Sequence, residues 1–70
     1  MPAAALREVD ALDRSALERF APYHAVRADL LRRLGRFSEA RAAYDAALAL
    51  GPASAERLWL IRRRAGLPAA

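Results

Sequence analysis

Apolar residues recur along the chain at helical spacing, and the pattern is reset at two glycines. Ahead of Gly35, Val26, Leu30, Leu31 and Leu34 stand three or four apart. After it, Ala40, Ala43, Tyr44, Ala47 and Leu48 follow i, i+3, i+4, i+7, i+8, which places them on one helix face. The spacing predicts helices over 22–34 and 37–50. Gly35 falls where the first must stop, because the residue after a C-cap commonly takes a left-handed conformation that costs glycine little. Arg36-Phe37-Ser38 has room only for a tight turn, so the two helices fold back antiparallel and share their apolar stripes. Gly51-Pro52 ends the second, since proline disfavours helix in the residue before it and cannot continue the ladder.

The flanks carry weaker versions of the same pattern. Ala5, Leu6, Val9 and Leu12 make a stripe that predicts a short amphipathic helix over 3–12, with Pro2 suited to its first position. Ser15-Ala-Leu-Glu18 fits a capping box with Ser15 as N-cap, and only Leu17 and Phe20 follow before Ala21-Pro22, so one isolated turn is expected. Ser54 is the expected N-cap of a last helix over 54–65, with Glu56 near its positive end and Arg62, Arg63 and Arg64 near its negative end. Gly66 closes it, and Leu67–Ala70 are expected to fray. The predicted fold is all-α: one domain over 1–70 in which four helices make a central hairpin, a flanking N-terminal helix and a C-terminal capping helix.

Two features suggest a repeat with open ends. Ala40-x3-Tyr44-x2-Ala47 is echoed by Ala5-x3-Val9-x2-Leu12, and His24, Arg27 and Leu31 are echoed by Leu58, Ile61 and Ala65. The spacing fits one complete helical unit with half a unit on either side. Leu58, Trp59, Leu60 and Ile61 are also four consecutive apolar residues on a helix. At about 100° per residue they sweep most of its circumference, so one packing face does not bury them all. Part of that surface, or the outer side of Leu6 and Val9, is expected to be covered by another copy of the chain or by the rest of a larger protein.

Composition narrows the class. Ala occurs nineteen times in 70 residues and Thr, Asn, Gln and Lys are absent, which favours helix throughout. A chain this short buries only about 60% of its unfolded surface, and without Cys no disulfide or thiolate metal site can add stability. All twelve basic residues are Arg, and the net charge is +4. No long apolar run and no signal-peptide pattern is present, so a soluble, cytoplasmic protein without membrane contact is expected. One His, no Cys and no acid placed against that His leave no triad or metal cluster to assemble. No phosphate loop or acid pair is visible, so no enzyme and no cofactor is expected. Leu30–Tyr44 mimics a helix-turn-helix, but the second helix, EARAAYDAAL, offers almost no side chain able to read base edges. The net charge then predicts weak, salt-dependent phosphate attraction and no specific nucleic-acid binding by this domain alone.

The combination Ala28, Leu34-Gly35, Phe37, Ala40, Tyr44, Ala47 and Pro52 resembles a tetratricopeptide repeat (TPR). Two positions depart from that pattern: His24 stands where the repeat usually has Trp or another large residue, and Arg27 where it usually has Leu. YHAVRADLLRRLGRFSEARAAYDAALAL, followed by Ala-Glu-Arg and by Trp59-Leu60 before Arg-Arg, resembles the C-terminal extension of a group of bacterial extracytoplasmic-function (ECF) sigma factors. PAAALREVDAL resembles the segment before it in that family, so the likeness runs over residues 2–66. It implies a non-catalytic regulatory module of transcription initiation. The implied partners are proteins: other domains of the sigma factor, RNA polymerase or a regulator. The 70 residues hold neither promoter-binding domain and are not expected to direct initiation themselves. A freestanding TPR-type adaptor that binds a peptide is the alternative, and a basic DNA-binding helical domain a more distant one.

TPR geometry would put Asp29, Arg32, Arg33 and Arg36 on the concave side, where guanidinium groups could hold an acidic peptide end. The plainer reading is a solvated face with Asp29 and Arg33 as an i,i+4 pair. His24 and Arg27 have a similar pair of readings. They are a polar anchor for a partner, or a structural network in which Arg27 lays its stem over the core and pairs with Asp10, Asp13 or Glu39.

Overall fold

A computed structural model describes residues 1–68 and contains, among them, five helices: α1 (Pro2–Asp10), α2 (Arg14–Leu17), α3 (Ala21–Arg33), α4 (Phe37–Ala49) and α5 (Ser54–Ala65). The hairpin of α3 and α4 is the centre, with α1 packed on α3 and α5 packed on α4. The Cα trace measures 29 × 29 × 17 Å, and helices pack roughly 8–10 Å apart, so the short axis holds two layers. No helix in such a slab is surrounded on all sides.

The turn between α3 and α4 is a Schellman motif. Gly35 takes φ +76°, its N–H donates to the Arg32 carbonyl (3.0 Å), and the Arg36 N–H donates to the Leu31 carbonyl (2.9 Å). Gly51, at φ +67°, closes α4 with an N–H to the Leu48 carbonyl at 3.1 Å. Pro52 follows and has no N–H, so the second bond of the motif is missing there.

Between the helices, Ala40, Tyr44 and Ala47 of α4 and Ala28 and Leu31 of α3 are fully buried. Alanines let the two backbones approach closely, and Tyr44 fills the space that remains. Leu6 of α1, Leu60 of α5 and Leu67 join the same core. Fully burying a Leu side chain stabilises by about 1.5–3 kcal/mol, so Leu6 and Leu60 are what hold the outer helices to the hairpin.

Several expectations are corrected. There are five helices and not four, because the isolated turn is a helix in its own right, α2. Its N-cap is Asp13 and not Ser15: the Asp13 carboxylate accepts from the N–H groups of Ser15 (3.1 Å) and Ala16 (3.4 Å). Ser54 is not a cap either, since the Ala53 carbonyl already accepts the Arg57 N–H at 2.8 Å and the ladder begins one residue earlier. Leu67 does not fray. It is 8% exposed and its N–H donates to the Arg64 carbonyl (3.2 Å), while the rest of the expected fraying, at 69–70, lies outside the described residues. Helix α1 ends at Asp10, which leaves Leu12 beyond it and exposed. Val26, assigned by spacing to the hairpin face, is half exposed, and Tyr23 and Ala28 take its place inside.

Candidate protein-binding surface

The two polar departures from the repeat pattern are put to use on the N-terminal side. The Arg27 Nε donates to Asp10 Oδ1 at 2.8 Å, tying α3 to the end of α1. The His24 Nε2 donates to the Glu18 carbonyl at 2.7 Å, tying α3 to the residue that ends α2. Nε2 carries the proton in this arrangement. Tyr23 meets the His24 ring edge-on, with centroids 5.0 Å apart. Both residues thus have structural partners, and the network reading of Arg27 is the one the geometry contains.

On the other side of α3, a groove of about 440 Å³ runs between α3 and α5. Ala25, Val26 and Leu30 give it an apolar wall, and Trp59 faces them from α5. Asp29, Arg33 and Arg63 supply its charge. Arg63 lies over the Trp59 ring, 5.3 Å from the centroid, a cation–π placement. Arg33 reaches Asp29 only at 4.0 Å and leaves half its side chain in solvent. An exposed pair at that distance holds the guanidinium weakly, so Arg33 is free to meet an incoming anion.

Of the four residues expected on this side, the structure gathers three. Asp29 and Arg33 line the groove, and Arg32 donates to Asp29 at 2.6 Å. That hydrogen bond first, and the charge of Asp29 with it, hold the Arg32 guanidinium above its ordinary value against partial desolvation. The Arg32 Nε and the Tyr44 hydroxyl are both buried without a hydrogen-bond partner. Arg36 is separate. It forms a bidentate pair with Glu39 at the start of α4, with bonds of 2.9 and 2.7 Å, and takes no part in the groove.

The six residues expected to make a self-association or interdomain surface divide. Leu6 and Leu60 are buried by the chain itself, because α1 and α5 each turn one strong apolar residue into the hairpin. Val9 is partly buried against the core. Leu58, Trp59 and Ile61 remain 48%, 44% and 42% exposed, as expected for a run that no single face can bury.

A second opening was not anticipated as a site. Val9, Leu12, Leu17, Phe20, Pro22, Tyr23 and Val26 line an apolar cleft of about 200 Å³ between α1, α2 and α3. Spacing alone placed Val26 in the core and Leu12 on α1. The readable signal was the cluster of apolar residues Leu12, Leu17, Phe20 and Val26 on either side of the short α2.

Among the described residues no group of His, Asp or Glu is placed to hold a metal ion, and no helix is long and apolar enough to cross a membrane. Comparison with curated proteins gives no significant match, and comparison with solved structures gives none either. The family comparison does give one: residues 21–54 match the tetratricopeptide repeat. The matched span holds α3, the Gly35 turn, α4 and Pro52, in other words one full repeat with its terminating proline. Such repeats are typically non-catalytic and consistent with protein–protein interaction, and the α3–α4 hairpin packs as in a tetratricopeptide repeat.

Proposed function

We propose that the chain is a non-catalytic protein-docking module whose α3–α5 groove takes a segment of a partner protein. The observation that carries this reading is the groove's composition: an apolar wall with Trp59 opposite it, flanked by Arg33 and Arg63. An apolar side chain against Trp59 and a carboxylate between the two guanidinium groups is the chemistry that fits it. Asp29 and Arg32 position Arg33 by competing for and sharing the local charge. Arg36, held on Glu39, is outside this role.

The partner we favour is RNA polymerase or a promoter-binding domain of an ECF sigma factor, with this module as the C-terminal regulatory extension. Support for that finer reading is the sequence likeness over residues 2–66. The test is titration of the chain with purified sigma promoter-binding domains and with RNA polymerase, read by emission of Trp59, its only Trp. Saturable change is expected with one of them, weakened by Arg33→Glu and Arg63→Glu. Random duplex DNA at about 0.15 M salt should give weak association only. Response to an acidic peptide but to neither protein would favour a TPR adaptor, and a sequence-selective, salt-resistant DNA complex would overturn both.

A further inference from the structure

Val26 belongs to both openings. It lines the apolar cleft between α1, α2 and α3, and it stands in the wall of the groove between α3 and α5. Pro22, Val26, Leu30 and Arg33 follow at i, i+4, i+8 and i+11 and share one face of α3. The first two line the cleft and the last three line the groove. The openings are therefore one track along α3, about 16 Å long at the helical rise of about 1.5 Å per residue. Its two ends differ in chemistry. No charged residue lines the cleft, and Leu12 and Phe20 are half exposed around it. At the other end the one acid lining the groove, Asp29, is engaged by Arg32 at 2.6 Å, and Arg33 reaches it only at 4.0 Å. Arg63 forms no ion pair among the described residues, and Glu56, three residues before Trp59, lines neither opening. The groove end thus keeps an uncompensated positive charge.

We propose that the partner segment is held at two points: a large apolar side chain enters the α1–α2–α3 cleft, and a carboxylate lies between Arg33 and Arg63. The proposal rests on the groove being a docking site and adds the second anchor and the spacing. A cavity of about 150 Å³ lined by apolar side chains holds a benzene, so a cleft of about 200 Å³ takes one aromatic ring or branched side chain. The segment between the anchors is extended. From Val26 to Arg33 is about 10 Å of α3, so a groove of about 440 Å³ has a cross-section of roughly 40 Å². An extended chain occupies about 4.8 by 10 Å, whereas a helix 10–12 Å across needs about twice that area. At about 3.3 Å per residue, five residues cover the track, which puts the apolar anchor about five positions from the acid. A fatty acid has the same two chemistries but fits less well. Pockets for small ligands cover about 70–90% of the ligand, and this track is open to solvent along its length, with Leu12, Phe20, Val26 and Trp59 all about half exposed. A peptide leaves its backbone in water and buries only the anchors.

The test is an NMR titration of the ¹⁵N-labelled 70-residue chain with two synthetic peptides. Each carries one phenylalanine and a pair of aspartates separated by four glycine and serine residues, in opposite orders. One order is expected to shift the Trp59 indole N–H and the Leu12, Leu17 and Phe20 amides together, with a single Kd. Replacing the phenylalanine by serine, or shortening the spacer to one residue, should weaken binding about tenfold and remove the shifts at the cleft. Leu12→Glu in the chain should do the same, with circular dichroism checking its helices and Phe20→Ser as a second variant should they be lost. Binding weakened by Arg33→Glu and Arg63→Glu but unaffected by both cleft variants would overturn the two-anchor proposal and leave the groove as the docking site. Binding of neither peptide would overturn it too, and indifference of the Trp59 emission to every protein and peptide titrated would remove the groove reading with it. Dodecanoate that gives the same shifts at lower concentration than either peptide would replace the peptide by an apolar acid.

Discussion

The middle of the molecule and its two ends are built from the same elements in different company. In the middle, α3 and α4 bury each other: Ala28, Leu31, Ala40, Tyr44 and Ala47 reach zero exposure. At the ends, α1 and α5 each bury one strong apolar residue; α5 leaves Leu58, Trp59 and Ile61 largely exposed, and Leu12 lies exposed just beyond α1. The amino acids do not account for this. Leu58 and Ile61 are more apolar than the His24 and Arg27 they repeat, yet they are the more exposed. Burial in a repeat is decided by which neighbours are present, and among the described residues α3 and α4 each pack against two helices while α1 and α5 each pack mainly against one. The difference teaches that stability should be concentrated in α3–α4.

The largest expected effect lies at Tyr44. Tyr44→Ala empties the space between α3 and α4, and loss of a buried aromatic ring typically costs about 3–5 kcal/mol. For a domain of this size that approaches the whole of its stability, so the variant should be unfolded or nearly so at room temperature, as read by circular dichroism. Tyr44→Phe separates ring from hydroxyl. The hydroxyl is buried and unpaired, so its removal should leave Tm unchanged or raise it. A drop in Tm for the Phe variant would mean that Arg32 uses that oxygen in solution.

Next comes overpacking. Ala47→Leu drives three extra heavy atoms into a contact that has no free surface, at a cost of about 1–3 kcal/mol. The same substitution at Ala55, exposed on α5, should change stability by no more than about 0.5 kcal/mol. Equal effects at the two sites, measured by urea unfolding, would erase the distinction between middle and ends.

The hairpin was legible before any coordinates because its signals are local. Gly35, Gly51-Pro52 and the Ala40–Tyr44–Ala47 spacing act through bonds and contacts a few residues away, and they place α3, α4 and their turn within a residue of where they stand. The ends were less legible because their outcome depends on distant partners. Nothing in the spacing of Leu6, Leu60 or Leu67 tells that they reach the hairpin while Val26 does not. The cap of α2 was misread for a different reason. Asp13 and Ser15 are both good N-caps, and only the backbone at Asp13, extended with ψ 99°, decides between them. Of the groove, the charges on α3 were readable from its helical face, whereas Arg63 and Val26 needed the position of α5.

Gly35→Ala probes the turn that holds the middle together. An added Cβ meets nothing within 4 Å, so the cost is confined to the left-handed backbone at φ +76°. That conformation costs an L-residue roughly 1–2 kcal/mol, and a matching fall in urea-derived stability is expected. A neutral outcome would show that the turn relaxes out of the Schellman geometry without disturbing the α3–α4 packing.

The smallest effect belongs to the exposed ion pair beside that turn. The bidentate hydrogen bonds from Arg36 are the first cause that holds the Glu39 carboxyl below its usual range, and partial desolvation opposes them. A carboxyl with a lower value in the folded state stabilises the fold above its unfolded value, about 4.3, and loses that contribution as pH falls through the folded one. The matching rise at Arg36 lies far above any pH at which folding is measured and adds no window of its own. Both side chains are about half exposed, so salt screens the pair and the effect on stability is small. The clean measurement is a difference: Tm of the wild type minus Tm of Glu39→Gln, between about pH 6 and about pH 3. Every other charged group is common to the two proteins, so its contribution cancels in the difference. The difference should be positive at the upper end, close as the acid limb is reached, and shrink with added salt. A difference that is flat in pH would mean that Glu39 acts on α4 as a helix-terminal residue, charged or not, and that the Arg36 pair contributes nothing to the turn.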